Sequence, residues 1–449
     1  MDVCLSVFDT RYLIICTILS KPIGSKTIVK QTAVAILHTL NSKTPFAFSK
    51  KISLALYRAG VILLLLFLFL AEVFRVYFIM PFPGSQHSET VDIAYWLSMH
   101  IGWIRLLTCI VTGIALINVW KQGKTWEKIS LSLALLCYIP VYALFNYRFE
   151  ADKIFHKPSQ TSFIPAADSE DKTKLVIGIV VNGEAKAYPI QLIGYHHQVM
   201  DIVGNEPVMV TYCTVCRTGR VYSTLVNGRH ESFRLVGMDH FNAVFEDETT
   251  KTWWQQANGV AIAGPLKGSA LKEISSVQFT VDAWLRQYPN SMVMAPDTLY
   301  DERYFKLEDY DRGTMQSSLV KRDYTAWGPK AWVVGVKNQD ASMAYDWSDL
   351  VKRRVIQDSL QSLPILLVME SDTTSFHVYD RRINGSVLQF NTSIANDCLT
   401  DQGTNSVWNM DGLCIGGPLK GQQLIRVQAY NEFWHSWETF QVNPKKYIH

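Results

Sequence analysis

The sequence predicts an α+β fold, mainly antiparallel β, in which two tandem homologous β-rich units follow an N-terminal region of three transmembrane helices. Three observations carry this expectation. The apolar excess is concentrated in long runs before residue 150. The remainder is punctuated by Asn-Gly pairs between short β-prone runs, the strongest short hairpin signal. It also repeats itself: an offset of 157 places Gly178 on Gly335, Ala187-Tyr188 on Ala344-Tyr345, Asp201 on Asp358, Pro207 on Pro364, and Asn227-Gly228 on Asn384-Gly385, with no insertion.

Residues 1–56 read as a flexible or amphipathic lead-in. The apolar runs 11–20 and 33–40 are too short to cross a bilayer, and no small-residue cleavage site follows the first. Within 57–150, Ala59–Met80, Ala94–Trp120 and Ile129–Phe149 are long enough to span. Trp96, Trp120, Trp126 and Tyr147 stand near span ends, where amphipathic rings favour the headgroup region. Lys43, Lys50, Lys51 and Arg58 precede the first span. The next loop has no Lys or Arg, and the one after it has Lys121, Lys124 and Lys128. This asymmetry predicts a cytoplasmic N-terminus and an extracytoplasmic C-terminal part. Glu72, Arg75, His100 and Arg105 are ionisable groups inside spans and so default to functional candidates. Glu72 and Arg75, at i and i+3, are expected to neutralise each other. His100 is a candidate haem ligand or quinone contact, weighed against simple hydrogen bonding.

Residues 151–174 read as a linker, 175–295 as the first β-rich unit, 296–330 as an inter-unit linker and 331–449 as the second, degenerate unit. In the first unit Asn182-Gly183 and Asn227-Gly228 predict hairpins, PVMVTY (207–212) a buried strand, and 189–199 and 281–288 short helices. Gly264-Pro265-Leu266-Lys267-Gly268 recurs as Gly417-Pro418-Leu419-Lys420-Gly421 at an offset of 153. The aromatic helices that follow align Trp284 with Trp434. The chain has 449 residues and a net charge of +3. It has no basic stripe or arginine-rich arm, which argues against a nucleic-acid partner. The expected partners are the lipid bilayer and an unidentified small ligand or protein.

Chemistry is sought where the two copies differ. Cys213-Thr214-Val215-Cys216 falls on Glu370 to Thr373, His196 and His197 on Arg353 and Arg354, and His240 on Asp397. Segments a hairpin apart in a β meander can converge at one sheet end. Cys213, Cys216 and His196, with His240, would then form a site for zinc or copper. The same cysteines without metal would make a redox-active pair, with Arg217 lowering a neighbouring thiol pKa. A thioredoxin-type helix after the first Cys is disfavoured, because Thr218–Val226 reads as a strand. The third reading is a structural disulfide or two inert thiols. Cys398 and Cys414 are a further candidate disulfide, and Cys109 and Cys137, inside spans, are expected to be inert. Trp253-Trp254 and Trp408 favour core packing over a carbohydrate or lipid pocket, and the Gly-Pro-Leu-Lys-Gly loops favour tight turns over anion cradles. There is no nucleophile elbow, paired-carboxylate signature or dinucleotide fingerprint.

The stretch NGEAKAYPI (182–190), the histidine at 196, EPVMVTYCTVC (206–216), TWWQQ (252–256) and AIAGPLKG (261–268) resembles the prokaryotic domain-of-unknown-function 3179 family. FRVYFIMPFPGSQ (74–86) resembles its membrane-anchored subset, and the likeness runs from Tyr57 onward. His196 matches the histidine of the family's Trp-His-Glu-like segment, and His197 stands where an acidic residue is usual. The resemblance implies a shared fold and an envelope location, the prokaryotic inner or cytoplasmic membrane, and no activity. The function expected first is transition-metal binding for metal handling or metal-dependent redox chemistry. The alternatives are a metal-free thiol–disulfide oxidoreductase and a non-catalytic scaffold or ligand-binding module.

Overall fold

A computed structural model describes residues 50–392 and 397–448, so the lead-in up to residue 49 lies outside the described residues. The chain divides into a unit Met1–Leu63 and a unit Leu64–His449. Among the described residues three helices are long and apolar enough to cross a membrane: Arg58–Tyr77, Val91–Gln122 and Thr125–Arg148. Their apolar side chains, among them Leu66, Trp103, Ile114 and Leu136, are exposed rather than packed inward. Such exposure in water would be an aggregation hazard and suits a hydrocarbon solvent.

The charges within these helices are paired, but not as the i, i+3 spacing suggested. Glu72, fully buried, accepts Arg105 Nε at 2.6 Å and Nη2 at 2.8 Å, and also Tyr138 Oη at 2.8 Å. Arg75 turns the other way, to Glu150 Oε1 at 2.6 Å and the Phe145 carbonyl at 2.9 Å. Asn146 touches both systems, accepting from Arg75 at 3.0 Å and from Arg105 at 2.6 Å. An isolated helix offers Glu72 only Arg75. A bundle offers a planar, two-pronged guanidinium from a neighbour, which fits a carboxylate better. His100 makes an ordinary contact: Nδ1 lies 2.8 Å from the Trp96 carbonyl and its ring stacks on Trp96.

Beyond residue 150 the structure is mixed helix and sheet, with mostly antiparallel strands in several sheets. The expected linker 151–174 carries structure, since Phe163–Pro165 pairs antiparallel with Met292–Met294. Both halves run the same order of elements. In the first, Leu175–Val181 pairs with Glu184–Pro189, the helix Ile190–His196 follows, and Gln198–Val203, Glu206–Cys213 and Thr218–Ser223 form a meander. In the second, Trp332–Asn338 pairs with Ala341–Asp346, the helix Trp347–Arg353 follows, and Val355–Leu360, Leu363–Met369 and Phe376–Asp380 form the meander. Even the register agrees: Gly178 faces Ala187 and Gly335 faces Ala344. Asn182 and Gly183 both have positive φ, as do the Asn-Gly pairs at 227 and 384, which is the hairpin geometry those pairs favour.

The closing helices correct one alignment. Trp284 lies flat over Gly178, and Trp437, not Trp434, lies over Gly335. The offset of 153 that joins the two Gly-Pro-Leu-Lys-Gly loops therefore continues through the helices. Trp253, Trp254 and Trp408 are fully buried, as core packing requires. The indole N–H groups of Trp254 and Trp408 reach Asp247 and Asp401, at 2.9 and 3.2 Å, which offsets the cost of burying them.

Candidate thiol site

The strand Glu206–Cys213 leads straight into the Cys-x-x-Cys turn, and Thr218–Ser223 leads out of it. Arg217 takes φ +56°, the left-handed conformation that lets so short a turn close. Both cysteines are free and buried. Their sulfurs meet at one oxygen, the Phe241 carbonyl, 3.5 Å from Cys213 Sγ and 3.3 Å from Cys216 Sγ. Phe241 is held there by Gln86, whose side-chain oxygen accepts its amide at 3.1 Å.

The second half covers the turn. Phe433 N donates to the Cys216 carbonyl at 2.9 Å. Lys330 Nζ donates to the Val215 carbonyl, and His435 Nε2 lies 3.3 Å from the same oxygen and 3.2 Å from Nζ. The segment 296–330, expected as a linker, also packs here: Tyr310 Oη donates to the Thr214 carbonyl at 2.9 Å. On the inner side Met209, Val76, Met80 and Ala151 share one apolar cluster with both cysteines.

The two thiols are electrostatically unequal. The hydrogen bond from the Cys216 thiol, helped by the amides of Cys216, Ala243 and Val215, outweighs burial and brings Cys213 down to about 7. Burial first, and then the neighbouring Cys213, pushes Cys216 well above the ordinary thiol range. The two therefore titrate as a coupled pair, with Cys213 the more acidic thiol and Cys216 the one that holds its proton. Arg217 does not supply this effect. Its guanidinium stacks 3.6 Å from the Trp332 ring centroid and donates to Asn431 Oδ1 at 2.6 Å.

The expected imidazoles are engaged elsewhere. His196 Nδ1 donates to the His156 carbonyl at 2.5 Å, and Nε2 accepts from Tyr304 Oη at 2.6 Å, so both ring nitrogens are occupied. His197 Nδ1 donates to the Tyr212 carbonyl at 2.8 Å, and its ring meets Phe155 edge-on. Burial holds His197 down at about 4. His240 Nδ1 sits 3.0 Å from Asp239 Oδ1, and Nε2 sits 3.6 Å from Glu89. Among the described residues no set of three or more His, Cys, Asp or Glu is arranged to hold a metal ion. Cys213 and Cys216 come together, and His196 and His240 do not join them.

Lys330 and His435 were missed in the sequence. Both lie outside the first β-rich unit, and His435, which aligns with Asp282 at the 153 offset, is far in sequence from Cys213 and Cys216. The Cys398–Cys414 bridge also fails. Both residues are free, on Cys398–Thr400 and Cys414–Gly416, which flank the strand Val407–Asn409. Two strand spacings, roughly 9–10 Å, exceed the reach of a disulfide.

Residues 156–445 match the family model described as protein of unknown function (DUF3179). No match was found among curated proteins or among solved structures. The matched region contains the thiol turn, its cover from the second half and both closing tryptophans, and the chain belongs to the DUF3179 family.

Proposed function

We propose that this is a membrane-anchored protein whose β-rich part faces the extracytoplasmic side and performs thiol–disulfide exchange through Cys213 and Cys216. The observation that carries the reading is the convergence of two free thiols on the Phe241 carbonyl, with Cys213 the more acidic of the two. In the step, Cys213 S⁻ attacks one sulfur of a partner disulfide, forming a mixed disulfide and releasing a partner thiolate, which takes a proton. Cys216, losing its proton, then attacks Cys213 Sγ, closing the intramolecular disulfide and releasing the second partner thiol. Partner disulfide is reduced by two electrons, and the Cys213–Cys216 dithiol is oxidised by two. Lys330 stands beside the thiols, and its positive charge favours ionisation of Cys216 for the second attack. The three apolar helices and the Lys/Arg asymmetry of their loops support the anchor and the orientation.

A second reading keeps the convergent sulfurs as ligands for a soft ion such as copper or zinc. It requires His196 to give up both hydrogen bonds, or an imidazole such as His435 to turn inward. One experiment separates the readings. The detergent-purified full chain is assayed for metal content and for free thiols before and after a mild disulfide oxidant and then a reductant. Exchange predicts reversible loss of two thiols, abolished in Cys213→Ser, without stoichiometric metal. Metal that disappears in Cys213→Ser, with thiols resistant to oxidation, would overturn it in favour of the ion.

A further inference from the structure

A cleft of about 240 Å³ opens along the seam between the halves, on residues that take no part in the thiol site. Its polar lining includes Arg426, Asp411, Gln287 and Gln423, and Tyr288, Tyr379 and Trp284 supply aromatic surface. Arg426 follows the second-half meander, and Trp284 closes the first half, so neither half makes the cleft alone.

The two charges in the cleft meet no opposite charge. Nη2 of Arg426 reaches Gln287 Oε1 at 3.2 Å and His377 Nδ1 at 3.5 Å, and the guanidinium stands 5.3 Å from the Phe279 ring centroid and 5.9 Å from that of Tyr379. A guanidinium has five N–H donors, so donors on Nε and Nη1 remain for a carboxylate. The Asp411 side chain meets only the Asn409 amide, at 3.4 Å. Among the described residues neither Arg426 nor Asp411 forms a salt bridge, with each other or with any other group. At the 153 offset, Arg426 corresponds to Glu273, which is fully satisfied by Lys337 at 2.9 Å and Tyr430 Oη at 2.8 Å. Two opposite charges facing one cleft without meeting leave room for a molecule that carries both complements. The phenol of Tyr288 lies within the field of both.

The volume limits the occupant. It equals the liquid share of roughly eight waters, below the roughly 300 Å³ at which drug-sized pockets begin. We infer that the seam cleft binds a small zwitterion of amino-acid size, its carboxylate on the remaining N–H donors of Arg426 and its ammonium on Asp411, with its side chain against Tyr288 and Tyr379.

The test uses the detergent-purified full chain, read by tryptophan fluorescence, since Trp284 lines the cleft, and by titration calorimetry. The probes are glycine, L-alanine, L-glutamine and L-leucine, with acetate and methylammonium as single-charge controls. At least one amino acid should saturate below about 1 mM, and both controls should bind at least tenfold more weakly. Arg426→Gln and Asp411→Asn should each weaken the amino acid at least tenfold, while Arg426→Lys retains part of the affinity. Acetate binding as tightly as any amino acid, with Asp411→Asn unaffected, would reduce the site to a plain anion site and overturn the zwitterion. No saturation by any amino acid in the wild-type chain would overturn it outright, whatever the variants do.

Discussion

Arg220 and Glu432, 212 residues apart in the chain, form an ion pair with both side chains fully buried, one from each half. Two further donors of Arg220 reach the Ala257 carbonyl at 3.0 Å and the Gly219 carbonyl at 2.9 Å, and its face stacks on Tyr430. Glu432 also accepts Ser436 Oγ at 2.8 Å, and Ser436 borders Cys216. The pair thus sets the second half against the thiol turn. Removing one partner leaves an uncompensated buried charge, at a cost of about 3–5 kcal/mol. Glu432→Ala and Arg220→Ala should each lower the unfolding midpoint by that order, and the double substitution should cost less than their sum. Additive losses in denaturant titrations would show that the pair is not coupled.

The thiols should titrate as a pair. Ultraviolet thiolate absorbance should include an ionisation centred near pH 7, absent in Cys213→Ser and moved upward toward about 8.5 in Cys216→Ser. The signs of the two contributions to stability are opposite. Because folding lowers Cys213, its contribution is present above its unfolded pKa and is lost as pH falls through about 7. Because folding raises Cys216, its contribution is present below its unfolded pKa and is lost as pH rises toward its folded value. A midpoint that ignores Cys216→Ser would rule out the coupling.

His197 supplies an acid-side prediction. Burial lowers it to about 4 in the folded chain, against an ordinary value near 6.5. The neutral ring's stability is therefore present above about 6.5 and is lost progressively as pH falls toward 4, by at most about 3 kcal/mol. His197→Asn, placing an amide against the Tyr212 carbonyl, should flatten the fall in unfolding free energy across that window. An unchanged slope would mean that another group governs acid unfolding.

Within the helices, a double-mutant cycle on Glu72 and Arg105 should give a coupling above about 1 kcal/mol, and one on Glu72 and Arg75 should give almost none. Thermal melts in detergent would read it. The sequence made Arg75 the partner, since local spacing is all it exposes. Which of several basic groups a carboxylate meets depends on how helices pack, and here Arg105 wins with two hydrogen bonds.

A similar division runs through the β-rich part. The hairpins at Asn182, Asn227 and Asn384 were legible because positive φ at consecutive residues demands those side chains. The Trp437 contact with Gly335 was legible in principle, since carrying the 153 offset of the Gly-Pro-Leu-Lys-Gly loops on to Trp284 would have found it. The surroundings of Cys213 were not: His196 is near in sequence yet its nitrogens serve His156 and Tyr304, while His435 arrives from the far end of the chain. Side-chain direction and long-range docking settle such sites, and neither leaves a local pattern.

Gly178→Ala and Gly335→Ala test the shared packing. An added methyl would lie 2.2 Å from the Trp284 ring and 2.1 Å from the Trp437 ring. Each should destabilise by about 1–3 kcal/mol, as overpacking does, and by similar amounts. A large loss at one and none at the other would separate the two halves physically.

The Met238 amide donates to the Ile79 carbonyl at 2.7 Å, and Gly237 approaches so closely that a methyl there would sit 2.1 Å from the same oxygen. The chain leaving the first long helix is thus clamped to the strand Phe233–Asp239 with no slack between them. With a bilayer around the helices, Cys213 would stand at a fixed height above the lipid, like a lamp on a post rather than a float on a line. On the proposed exchange reading, a redox partner would have to be delivered to that height, and one tethered too short to reach it would never be served.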